Sequence, residues 1–121
     1  MVKTTLVLGA SPNPDRVAYQ AVKSLKKRNI PVIAIGKKSY EDTEMKIITG
    51  MPGDTAQIHT VTLYLGPPNQ VEYYDYILSL HPKRIIFNPG TVNPELEKLA
   101  TDNGIEVVEA CMLVMLKTGQ Y

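Results

Sequence analysis

The chain has 121 residues, 44% of them hydrophobic and 21% charged, with a net charge of +1 at neutral pH. That length suits one domain, residues 1–121, with its own hydrophobic core. A charge near zero excludes a global field that would draw in nucleic acid, and no apolar stretch approaches membrane-spanning length. Cys111 is the only cysteine, so no intrachain disulfide forms and a reducing cytoplasm is expected. Lys3 and the apolar run after it imitate a secretion signal, but the run is too short and Asp15-Arg16 follow it closely.

Strands and helices are expected to alternate. Residues 4–8 are an apolar run suited to a buried parallel strand. It breaks at Gly9-Ala10-Ser11 and leads into a helix over about 15–28, with Val17, Ala18, Ala21, Val22 and Leu25 on one face. Asn13 is placed to cap this helix and Pro14 to open its first turn. Residues 31–35 form a second strand, stopped by Gly36. Residues 39–42 suit a short helical turn, 46–49 a short edge strand and 50–54 a loop.

The next strand covers 59–65. Gly66-Pro67-Pro68-Asn69 ends it, and Asn69 with Glu72 resembles a capping box for a helix that turns Val71, Tyr74, Ile77 and Leu78 inward. Residues 83–87 form a strand. Asn93-Pro94-Glu95 opens a helix carrying Leu96, Leu99 and Ala100, and Asn103-Gly104 closes it. Residues 105–109 form the last clear strand, and 111–116 either extend it or make a terminal helix. This order implies a Rossmann-like, doubly wound α/β fold with a mainly parallel five-stranded sheet and helices on both faces.

Ligands in such sheets bind beyond the carboxyl ends of the strands, where the strand order reverses. A glycine between a strand and a helix N-terminus suits a phosphate, because the first helical N–H groups are unpaired and the helix dipole favours an anion. Gly9 is expected to let that phosphate approach the backbone closely. The dinucleotide pattern G-x-G-x-x-G is absent, and Gly36-Lys37-Lys38 stands where an NAD site needs an acid. Lysines there would attract a ribose phosphate, which NADP and coenzyme A both carry. No P-loop is present, which argues against ATP hydrolysis.

These residues resemble the small, single-domain CoA-binding proteins with a Rossmann-like fold, which are similar to the CoA-binding domain of the succinyl-CoA synthetase alpha subunit. The resemblance rests on Val7-Leu8-Gly9-Ala10-Ser11, Arg16 and Ala18-Tyr19, then Ile85-Ile86-Phe87-Asn88-Pro89-Gly90 with Asn93-Pro94-Glu95, and finally Gly104-Ile105-Glu106-Val107-Val108 with Cys111. The chain departs from the family at Ile35-Gly36-Lys37, where Val-Asn-Pro is usual, and at Ala18, where a serine is usual.

The resemblance implies a protein that binds coenzyme A or an acyl-CoA without catalysis. Gly9, Ala10 and Ser11 would meet the pyrophosphate, Arg16 would pair with a phosphate, and Tyr19 would flank it. Gly36, Lys37 and Lys38 would take the ribose phosphate. Pro67 and Pro68 would wall the adenine or the pantetheine arm, with Asn88, Pro89 and Gly90 as the opposite rim. Burial is the expected fate of Cys111, and His59 and His81 carry no metal or catalytic role. Three alternatives stay open: an NADP-dependent oxidoreductase, a CoA-transfer subunit needing a partner chain, and a regulatory module with a vestigial pocket. The expected ligand is a small nucleotide, with no nucleic acid and no membrane, and a homo-oligomer or partner protein is left undecided.

Overall fold

The structure is a computed structural model that describes residues 2–53 and 57–121. The backbone runs β1 (Thr5–Ala10), α1 (Val17–Lys27), β2 (Val32–Gly36), β3 (Tyr40–Glu41), β4 (Lys46–Ile48), β5 (Thr60–Leu63), α2 (Pro67–Gln70), α3 (Tyr74–Ser79), β6 (Arg84–Phe87), α4 (Pro94–Asp102), β7 (Glu106–Glu109) and α5 (Met112–Lys117). A 3₁₀ turn over Val71–Tyr73 joins α2 to α3. No described helix is long and apolar enough to cross a membrane.

The sheet has seven strands in the order β3-β4-β2-β1-β5-β6-β7, not the expected five. Every neighbouring pair is parallel except β3 with β4. Of the two edge strands, β4 falls on the short edge strand expected at 46–49, and β3 falls in the segment expected to hold a helical turn. Tyr40 instead pairs with Ile47, and Glu41 with Lys46, in a hairpin. Asp42 sets its turn, because Oδ1 accepts from the Glu44 and Met45 amides, each at 2.8 Å. A local side-chain-to-backbone turn of this kind competes directly with helix. Asp54, the last residue of the expected loop, lies outside the described residues.

The alternation of side chains along the strands builds two cores. Leu6, Leu8, Ile35, Val61, Leu63, Ile85 and Phe87 face α3 and α4, meeting Ile77, Leu96 and Ala100. Val7, Ala34, Ile47 and Ile86 face α1 and α5, meeting Ala21, Val22, Leu25, Met112, Met115 and Leu116. Central strands buried on both faces explain the unbroken apolar runs in the sequence, and each fully buried Leu or Ile contributes about 1.5–3 kcal/mol. Residues 112–117 form a helix, which resolves the choice left at the C-terminal end.

Several boundaries move. The first helix starts at Val17, which is 53% exposed and so stands outside the core. Asn13 Oδ1 accepts from Asp15 N at 3.0 Å, so it closes a turn ahead of α1 without capping the helix. Gly66, not Asn69, is the cap of α2, with prolines in its first turn. Asn93 does cap α4, its Oδ1 accepting from Glu95 N at 3.1 Å and Leu96 N at 3.4 Å.

Candidate functional site

The strand order reverses between β1 and β5, because the chain builds outward through β2 and β4 on one side and through β6 and β7 on the other. A cleft of about 390 Å³ opens at the carboxyl ends there. Gly9, Ala10, Ser11, Pro12 and Arg16 line it from the end of β1 and the loop that follows. Lys37 and Lys38 enter from the end of β2, and Tyr64, Leu65, Gly66 and Asn69 from the end of β5. Six of the expected site residues therefore meet in one cleft.

The cleft is cationic. Arg16, Lys37 and Lys38 are exposed, and none forms an ion pair among the described residues. Ser11 Oγ accepts from Asn13 N at 3.1 Å, which leaves its hydroxyl hydrogen free to donate. The first turn of α1 carries no acid and no side-chain cap. The chemistry of this donor set, three cations with a hydroxyl and no carboxylate, fits a multiply phosphorylated ligand.

Gly9, on the cleft, and Gly36, buried behind it, are packing residues. Gly9 has φ +99, and a Cβ there would lie 3.0 Å from the Tyr64 carbonyl carbon and 3.1 Å from Leu65 Cδ2. The missing side chain therefore makes room for the residues that follow β5, a packing role beside the expected close approach of a phosphate. Ala10 pairs with Gly36 across a register shift, and a Cβ at Gly36 would sit 2.5 Å from the Ala10 carbonyl oxygen. Gly36 is buried, so it sets where Lys37 and Lys38 emerge and does not itself face the cleft.

The other expected residues lie off the cleft. Tyr19 is half-buried against the α1–α5 core, with Lys23 Nζ 5.6 Å from its ring centre. Pro67 and Pro68 start α2 and thereby present Asn69 to the cleft. Pro89 and Gly90 are exposed in the turn after β6 and do not line it. Asn88 is corrected most clearly, being only 2% exposed. Its Nδ2 donates to Thr62 Oγ1 at 2.7 Å and Leu63 O at 2.9 Å, and its Oδ1 accepts from Met112 N at 2.9 Å. With its amide spent on β5 and α5, it has nothing to offer a pantetheine arm.

Cys111 is a half-buried free thiol at the start of α5. His59 stands just ahead of β5, at the opposite edge of the sheet from the cleft. Burial, with Arg84 beside it, lowers its pKa below the usual imidazole value. No group of three or more metal-ligating side chains occurs among the described residues.

Tyr64 and Leu65 were hidden because the expected strand ran to residue 65, whereas β5 ends at Leu63. The Tyr64 hydroxyl is buried without a hydrogen-bond partner among the described residues, and desolvation pushes its pKa well above the usual phenol value. Asn69 was within reach of the sequence, since it lies in the loop after a strand, but its capping-box pattern pointed to another role.

The fold and the switch-point cleft together define a Rossmann-like α/β protein with a mostly parallel sheet. The CoA binding domain family model matches residues 3–117, and the chain belongs to that family. It is 48% identical to an uncharacterized protein of known crystal structure, covering 100% of this chain and 99% of that one, with a TM-score of 0.93. It is 26% identical to a hypothetical protein from Pyrococcus horikoshii OT3, over 97% of this chain and 83% of that one, with a TM-score of 0.86. A Thermus thermophilus protein shares the fold at 22% identity, over 99% and 91% of the two chains, with a TM-score of 0.85. No curated protein matches the chain significantly.

Proposed function

We propose that this protein binds coenzyme A or an acyl-CoA in the cleft at the ends of β1, β2 and β5, and that it does so without catalysing a reaction. The observation that carries this reading is the convergence of Arg16, Lys37 and Lys38 on one switch-point cleft, in a chain of the CoA-binding family.

Ser11 and Arg16 take the pyrophosphate, the serine by its free O–H and the arginine by its two-pronged guanidinium. Lys37 and Lys38 take the ribose phosphate. Leu65 gives the cleft its apolar side, and Asn69 supplies an amide near the entrance of α2. A cleft of about 390 Å³ suits the phosphorylated end and leaves the pantetheine arm to run along the sheet edge.

Calorimetric titration with CoA, dephospho-CoA, NADP and NAD in parallel tests this reading. Binding of CoA, weaker without the ribose phosphate, is the expected result. Binding of NADP alone moves the protein to the oxidoreductase class, and silence from all four ligands overturns the proposal.

A further inference from the structure

We infer that Gln70 is the positioning residue of this cleft, an inference that rests on the CoA-binding reading above. Its buried carboxamide fixes the β5–α2 wall against the loop leading into α4. Gln70 is fully buried, at 0% exposure, and does not itself line the cleft. Its Nε2 donates to Leu65 O and to Thr91 O, both at 2.8 Å. Its Oε1 accepts from Asn93 Nδ2 at 2.9 Å. Only a carboxamide sets two donors against two carbonyls and one acceptor against an amide in this way.

The wall needs an anchor of this kind. The helix α2 has four residues, two of them prolines at its start, so it holds few hydrogen bonds of its own. Leu65 and Asn69, both on the cleft, are the residues on either side of the Gly66-Pro67-Pro68 turn. Gln70 fastens the first by its carbonyl and the second as its immediate neighbour in the chain. The far end of the anchor is rigid. Asn93 also donates to Tyr74 Oη at 2.8 Å and caps α4, which packs Leu96 and Ala100 into the core.

The test compares Gln70→Leu and Gln70→Glu with Ile77→Val, a core change that loosens α3 without touching the wall. CoA titration is paired with hydrogen exchange of the 65–70 amides, those of Leu65, Gly66, Asn69 and Gln70, since Pro67 and Pro68 carry no N–H. Both Gln70 variants are expected to bind CoA about tenfold more weakly at neutral pH, because buried carbonyls lose their donors. The same variants should exchange the 65–70 amides faster, while Ile77→Val keeps wild-type affinity. Relative to wild type at the same pH, Gln70→Glu should regain affinity as acid protonates its carboxyl and returns one donor, and Gln70→Leu should not. Wild-type CoA affinity in Gln70→Leu, or unchanged exchange at 65–70, overturns the inference. If the wild type itself does not bind CoA, the binding reading falls, and the exchange comparison alone decides whether Gln70 holds the wall.

Discussion

Replacing Gly36, Gly9 and Gly90 by alanine, one at a time, separates two costs that the structure assigns differently to each. At Gly90 the φ is +87 and nothing lies within 4 Å of the new Cβ, so only the backbone conformation is penalised, by about 1 kcal/mol. At Gly36 the backbone allows any residue, but the Cβ would meet Ala10 O at 2.5 Å and Ile47 Cγ2 at 2.9 Å. That carbonyl belongs to β1, paired to Gly36 itself, and cannot withdraw without breaking the register. The cost there is about 3 kcal/mol, the upper end for overpacking. Gly9 carries both terms, a φ of +99 and contacts of 3.0–3.1 Å to Tyr64 and Leu65 that are looser than those at Gly36, for about 2–3 kcal/mol. A chain of this length loses roughly 3–4 °C of melting temperature per kcal/mol. Thermal unfolding followed by circular dichroism should therefore show a loss of about 10 °C for Gly36→Ala, slightly less for Gly9→Ala and about 3 °C for Gly90→Ala. A Gly9→Ala protein that melts with wild type yet no longer binds CoA would refute this reasoning and reserve that glycine for the ligand.

Lys37→Glu combined with Lys38→Glu should weaken CoA about tenfold more than dephospho-CoA in calorimetry; equal losses mean the two lysines do not read the ribose phosphate. Asn88→Ala strands the Met112 amide and the β5 acceptors, so it should cost about 2–4 kcal/mol in denaturant unfolding and loosen α5 first. Wild-type stability there would show that water replaces the side chain. A pH effect is expected at Glu97, whose pKa is pushed up to about 7 by a hydrogen bond with Glu109, by burial and by that neighbour's charge. Its Oε2 is buried and faces no donor when both carboxyls are ionised, and one shared proton supplies it. Because the folded value lies above the unfolded 4.5, this stabilisation is complete below about pH 4.5 and is lost as pH rises through about 7. Glu97→Gln should remove that decline and raise stability at about pH 8, by roughly 1 kcal/mol after solvent screening. An unchanged pH profile sinks the shared proton.

Much of the fold was legible because parallel strands buried on both faces leave continuous apolar runs. Residues 4–8, 31–35, 83–87 and 105–109 each fell within two residues of a strand end. Of the hairpin, only the β4 strand was legible, as the edge strand expected at 46–49. Tyr40 and Glu41 are exposed and carry no alternation, and their pairing depends on Ile47 arriving beside β2. The cleft loops were also marked in advance, since loops after strands carry the turn residues of a switch-point site. Within them Arg16, Lys37 and Lys38 converge on one cleft, because an exposed charge needs no packing context.

The sequence alone determined what is local or repeated along the chain: alternating elements, the Gly9 break, Lys37 and Lys38 after β2, and the Asn93 cap of α4. Only the tertiary structure decided which polar groups remain for a ligand. Asn88 and Gln70 look alike on paper to Asn69, yet Asn88 spends its amide on Thr62 Oγ1 and Leu63 O, and Gln70 on Thr91 O and Leu65 O, and both are sealed, while Asn69 stays open to the cleft. The reason is physical. A buried amide must find partners, and whether they come from the chain or are left for a ligand depends on contacts that bring distant segments together.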